Sequence, residues 1–177
     1  MADWTDTSEL AVAVGDLPRA SWANGVVDNL AYLYNPPAVT VRMTATQQVA
    51  SANDALISWS EAAWDTTGGS MWDAGSPGSI LIPEAGVYRF TCATLWASSD
   101  DNLKRAIFLE RNDSRIRGVQ VLATDPAEII LTGSTSVAAN DFLEFVVRQN
   151  SGGPLDLQPL RTVCTVEFVR PEPSAST

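Results

Sequence analysis

The chain has 177 residues, 45% of them hydrophobic and 18% charged, which is the length of one domain with enough apolar material for a core and excludes a disordered chain. Twenty-one acidic residues against eleven basic ones give a formal net charge of -10, and Lys104 is the only lysine, so no cationic cluster exists to neutralise phosphates and a nucleic-acid binder is excluded. The absence of histidine removes a Ser-His-Asp triad, a Cys-His pair and a His-ligated zinc.

Residues 1–20 are polar and broken by Gly15 and Pro18. The opening Met1–Glu9 is acidic, so no secretory signal is expected there, and no apolar run reaches the roughly 20 residues of a membrane helix. Over 21–34 the period is helical. Ser21 can cap, and Trp22, Val26, Leu30 and Leu33 recur at intervals of three and four, with Tyr34 beside them. Asn35-Pro36-Pro37 ends this helix, because proline cannot continue it and forces the preceding residue out of the helical region. A helix of three turns is marginal alone, so its apolar stripe needs a surface to pack on. That surface is either its own domain, or symmetry mates or a larger body in which it anchors.

From residue 38 the period changes to two. Strands are expected at 38–44, 55–59, 79–82, 86–97, 103–110, 115–122, 127–137, 141–149 and 161–169, with Gly, Pro, Asn, Asp and Ser clusters between them. Nine or ten short strands with turns every eight to twelve residues read as an all-β sandwich or jelly roll. In 86–97, Tyr88, Phe90, Cys92, Thr94 and Trp96 share one face, and Cys164, Val166 and Phe168 share a face of 161–169. Both cysteines therefore read as buried free thiols. The opposite face of 86–97 (Val87, Arg89, Thr91, Ala93, Leu95) is not plainly polar, so a cover on that side is expected as well, commonly a partner subunit.

Several elements in this order resemble the C1q/TNF-like family. They are Trp64-Asp65-Thr66, Ser79-Ile80-Leu81-Ile82-Pro83, Gly86-Val87-Tyr88-Arg89-Phe90, Asn140-Asp141-Phe142 and Val166-Glu167-Phe168. The resemblance covers roughly 38–170 and implies a ten-stranded jelly roll that forms homotrimers. Within it Pro83 closes a strand, Gly86 is expected to permit the turn before the next strand, and Tyr88, Phe90, Trp96 and Phe168 are expected in the core or the trimer seam. A second resemblance lies in the lead GDLPRAS (15–21) followed by Trp22-Ala23-Asn24 and Val27-Asp28-Asn29-Leu30. It is similar to an opening of tailed-bacteriophage structural proteins. Together they imply a virion protein in three parts: an N-terminal arm over 1–37, a jelly roll over 38–170 and a polar tail over 171–177.

The remaining candidates are weighed against plainer roles. Asp65, Asp73, Asp100, Asp101, Asp125 and Glu128 are expected in turns as solvated carboxylates, and no spacing singles out an acid/base pair. A serine nucleophile would need a base other than histidine, and Lys104 has no Ser-x-x-Lys context, so an enzyme is not expected. No cofactor is expected. Asp100-Asp101-Asn102 offers oxygen ligands suited to calcium, and the same composition also makes a plain turn. Trp64 and Trp72 bracket the loop Thr66–Ser70, as a candidate sugar platform or as plugs of the sandwich end. The expected function is a homotrimeric virion protein assembled in the bacterial cytoplasm. Trp22, Val26, Leu30 and Leu33 attach it to other virion proteins, and a tail-associated adhesin that contacts a host-surface glycan is favoured over a capsid decoration protein.

Overall fold

The computed structural model describes residues 20–98, 104–122 and 127–171, the side chains of 20–22 and 31 excepted. The chain divides into two compact units, Met1–Pro36 and Pro37–Thr177.

In the first unit, α1 spans Ala20–Tyr34 and stops before Pro36. Ser21, the expected cap, lies within this span, and its side chain is outside the described ones. Gly25, Asn29 and Tyr32 are buried on one side. Of the expected stripe, Trp22 lies outside the described side chains, Val26 is half-buried, and Leu30 and Leu33 are 61% and 65% exposed, with Val27 and Tyr34 exposed beside them.

The second unit is all-β. In chain order its strands are β1 (Ala38–Arg42), β2 (Gln47–Val49), β3 (Asp54–Leu56), β4 (Glu61–Asp65), β5 (Ser79–Leu81) and β6 (Gly86–Trp96), then β7 (Lys104–Arg111), β8 (Ser114–Leu122), β9 (Glu128–Val137), β10 (Phe142–Gln149) and β11 (Leu155–Arg170). One sheet runs β4-β1-β11-β6-β9, with β2 on the other end of β11. The second runs β3-β10-β7-β8, with β5 also on β10. Every strand pair is antiparallel. Eleven strands stand among the described residues, against nine segments read from the sequence and the ten that the resemblance implies. The two the sequence reading missed, β2 and β4, are the polar or alanine-rich stretches QQV and EAAWD, held by β11 and β1.

The core lies between the sheets and follows the period of two. On β6, Tyr88, Phe90, Cys92, Thr94 and Trp96 all have no exposed surface. Phe168 is 8% exposed, so these expected residues form the core of a single chain rather than a seam between chains. Phe90 and Trp59 both pack against Phe145 with inclined rings, at 6.0 and 6.5 Å between ring centroids, and Tyr88 meets Phe168 at 5.4 Å. The Tyr88 hydroxyl donates to the Glu84 carbonyl at 3.0 Å, and burial pushes its pKa far up. Cys92 and Cys164 are direct cross-strand neighbours, both free and buried. Burial also pushes the Cys164 thiol up.

Two details correct the sequence reading. Gly86 has no left-handed backbone. It is glycine because a Cβ there would lie 2.4 Å from the Phe168 ring and 2.8 Å from the Arg170 carbonyl oxygen. And β11 begins at Leu155, six residues earlier than the expected 161, because it crosses Pro159 by shifting register between Gln158 and Val163. The buried Thr162 closes that bulge: its hydroxyl donates to the Gln158 carbonyl at 2.7 Å and accepts from Leu95 N–H at 3.2 Å.

Candidate functional site

The outward face of the six-stranded sheet carries a row of small and hydroxylated residues. In register across it stand Trp64 on β4, Thr40 on β1, Thr165 on β11, Thr91 on β6 and Thr132 on β9. The hydroxyls of Thr40 and Thr165 are bonded at 3.0 Å and those of Thr91 and Thr132 at 3.2 Å. Hydroxyls that satisfy one another leave their methyl groups to make up the surface. The next row runs from Arg42 through Val163 and Ala93 to Ile130, and Ile130 is 55% exposed. Charge sits to either side, where Arg89 pairs with Glu167 and Arg42 with Glu61. The middle of the face carries none.

The segment 66–78 crosses from β4 to β5, and its own side chains brace it. Asp65 Oδ1 accepts from Thr67 N–H at 2.7 Å, and Thr67 Oγ1 accepts from the N–H groups of Ser70 and Met71 at 3.1 and 3.2 Å. Gly68 and Gly69 take φ of +73° and +94°, which side-chain-bearing residues rarely adopt. Trp72 Nε1 donates to the Pro77 carbonyl at 3.2 Å, and Asp73 Oδ1 accepts from Gly75 N–H at 2.6 Å. This fold-back opens a cavity of about 310 Å³ between Trp72 on the loop and Phe142 on β10. The two candidate tryptophans therefore part company: Trp64 is a strand residue on the sheet's outward face, 53% exposed, and Trp72 lines the cavity.

Of the expected turn carboxylates, Asp65 is the last residue of β4 and not a turn residue, and Asp73 stands in the loop; both brace it as described. Glu128 is the first residue of β9, not a turn residue, and pairs with Arg161 at 3.1 Å. Asp100, Asp101, Asp125 and the calcium candidate Asp100-Asp101-Asn102 lie outside the described residues. Among the described residues no group of three or more His, Cys, Asp or Glu could hold a metal ion, and no described helix is long and apolar enough to cross a membrane. The Asn140-Asp141 pair has a structural role. Asn140 takes φ of +67°, and the Asp141 carboxylate accepts from Asn112 Nδ2 at 2.7 Å and Ala138 N–H at 2.9 Å, which holds its pKa below the usual range.

The sequence reading missed one buried acid, Glu144 on β10, 8% exposed and accepting from the Ser79 hydroxyl at 2.8 Å. Burial pushes its carboxyl above the usual range. The Ser79 hydrogen bond pulls the other way, and the charges of Asp113 and Glu110 add to the rise. The available signal was a charge in FLEFVV, a stretch apolar on both faces.

No family model matches the sequence, and neither does any curated protein. Solved structures do. The chain is similar to Eiger TNF from S. frugiperda, with a TM-score of 0.58 and 15% identity over 79% of this chain and 96% of that one. It is similar to murine APRIL, with a TM-score of 0.58 and 11% identity over 75% and 98%. It is also similar to the globular domain of zebrafish complement 1qA, with a TM-score of 0.51 and 11% identity over 77% and 99%. The fold is the TNF and C1q jelly roll. At these identities the likeness shows the fold alone. None of the three is described as an enzyme.

Proposed function

We propose that the protein is a non-enzymatic homotrimeric surface module of a tailed-bacteriophage virion, held to the particle through residues 1–37 and working at the tail as a host-binding protein. The observation that carries assembly is the outward sheet face just described. Its threonine row and the Val163, Ala93 and Ile130 row have no charge in the middle, and 55% of Ile130 faces water in a single chain. Such a face is stabilised by a cover, and a second and third copy of the same chain supply one by symmetry. The motive for the arm is α1, which exposes Val27, Leu30, Leu33 and Tyr34 while burying Gly25, Asn29 and Tyr32. At roughly 1.5–3 kcal/mol for each fully buried large side chain, a groove on the particle that covers these residues gains several kcal/mol per chain. Three arms on one trimer multiply that through effective concentration.

The test uses the full chain. Leu30→Ser with Leu33→Ser should leave the β-sheet circular dichroism unchanged and lower loading onto arm-free particles at least tenfold. Quantitative mass spectrometry of the intact virion should find a few trimers per particle. Undiminished loading of the double variant would move attachment to the jelly roll, and hundreds of copies per particle would make the protein a capsid decoration protein instead.

A further inference from the structure

We infer that the cavity beside Trp72 is a binding site for a neutral pyranose sugar. The inference rests on the reading of the chain as a recognition module and gives that module a ligand class. The cavity measures about 310 Å³, at the small end of the range for ligand sites. Its accessible apolar wall is Trp72, Leu81 and Phe142, two of them aromatic, with the fully buried Met71 behind them. Its polar residues are Ser70, Ser76, Ser79 and Asp73, of which Ser79 already donates its hydroxyl proton to Glu144 and keeps oxygen lone pairs to accept with, and Asp73 keeps its second carboxylate oxygen.

That combination selects a class. A purely apolar ligand would strip water from the exposed Ser70 and Ser76 and from the Asp73 carboxylate without replacing those hydrogen bonds. A phosphate, a sulfate or a sugar acid would find no lysine or arginine among the residues that line the cavity and would face the charge of Asp73 in a chain of net charge -10. A neutral pyranose has a flat C–H face that packs on an indole and a rim of hydroxyls that donate to and accept from serine and carboxylate groups.

The site is also set in place before any ligand arrives. Trp72 is tied by Nε1 to the Pro77 carbonyl, Asp73 by Oδ1 to Gly75 N–H, and Met71 by its carbonyl to Leu81 N–H at 2.8 Å. Binding then costs little side-chain ordering.

The experiment titrates the full chain with glucose, galactose, mannose and N-acetylglucosamine, with sialyllactose as the anionic probe, and follows the indole N–H resonances. The expected result is a saturable shift of the Trp72 indole with at least one neutral sugar, at a Kd on the order of 1 mM. Ser76→Tyr, which fills the cavity from an exposed position, should weaken that binding at least tenfold, and Trp64→Ala should leave it unchanged. Absence of any shift with the four neutral sugars overturns the proposal. So does a shift that survives Ser76→Tyr, or sialyllactose binding through the cavity as tightly as the neutral sugars. Light scattering on the same samples separates this inference from the proposed function: a sugar-binding monomer contradicts the assembly and keeps the site, and a trimer blind to all four sugars contradicts the site and keeps the assembly.

Discussion

Glu144 is a carboxyl kept from water on a strand whose other residues are mostly apolar, with one hydroxyl partner and two acidic neighbours. A carboxyl raised in the folded state favours folding while it is protonated. That stabilisation is complete below the unfolded pKa and is lost as pH rises through the raised one, so Glu144 costs stability at neutral pH. Glu144→Gln keeps an acceptor for Ser79 and removes the charge. We expect it to raise the Tm by about 1–3 °C at pH 7, with the gain vanishing near pH 4, as read by calorimetry across that range. A Tm lowered at pH 7 would show that the charge is stabilising. The same scale explains Gly86. Its motif position was legible in the sequence, but its reason was not, because the Phe168 ring that excludes a Cβ comes from a strand some eighty residues later.

At the scale of elements, β6 and β10 were legible because apolar residues fill their inward positions, and the change of period at Pro36-Pro37 falls where the chain divides into two units. What stayed hidden was made by partners. The strands QQV and EAAWD have little β preference of their own and exist because β11 and β1 present hydrogen-bonding edges to them. The Trp72 cavity is of the same kind, since Phe142 and Leu81 reach the loop only once β5 pairs with β10. The outward face of the six-stranded sheet yields a prediction at this scale. Ala93 sits in it, half-buried between Val163 and Ile130. An arginine there meets solvent in a monomer and becomes an unpaired buried charge in an assembly, at about 3–5 kcal/mol per copy. Ala93→Arg should therefore give a folded, β-rich monomer in gel filtration. A variant that assembles as the unsubstituted chain does would clear this face of any role in the interface.

At the largest scale, the jelly-roll unit buries most of its large apolar side chains between its two sheets and leaves others exposed, among them Trp64 and Ile130 on the outward sheet face. The jelly roll itself is a scaffold that says little about function. The proposed role depends on three copies meeting through that sheet face, which needs an interface of well over about 1,000 Å² in total. Multi-angle light scattering of the full chain at micromolar concentration tests this most directly. The account predicts a particle of three times the 19.0 kDa chain mass, unchanged on tenfold dilution; a stable 19.0 kDa species would contradict it.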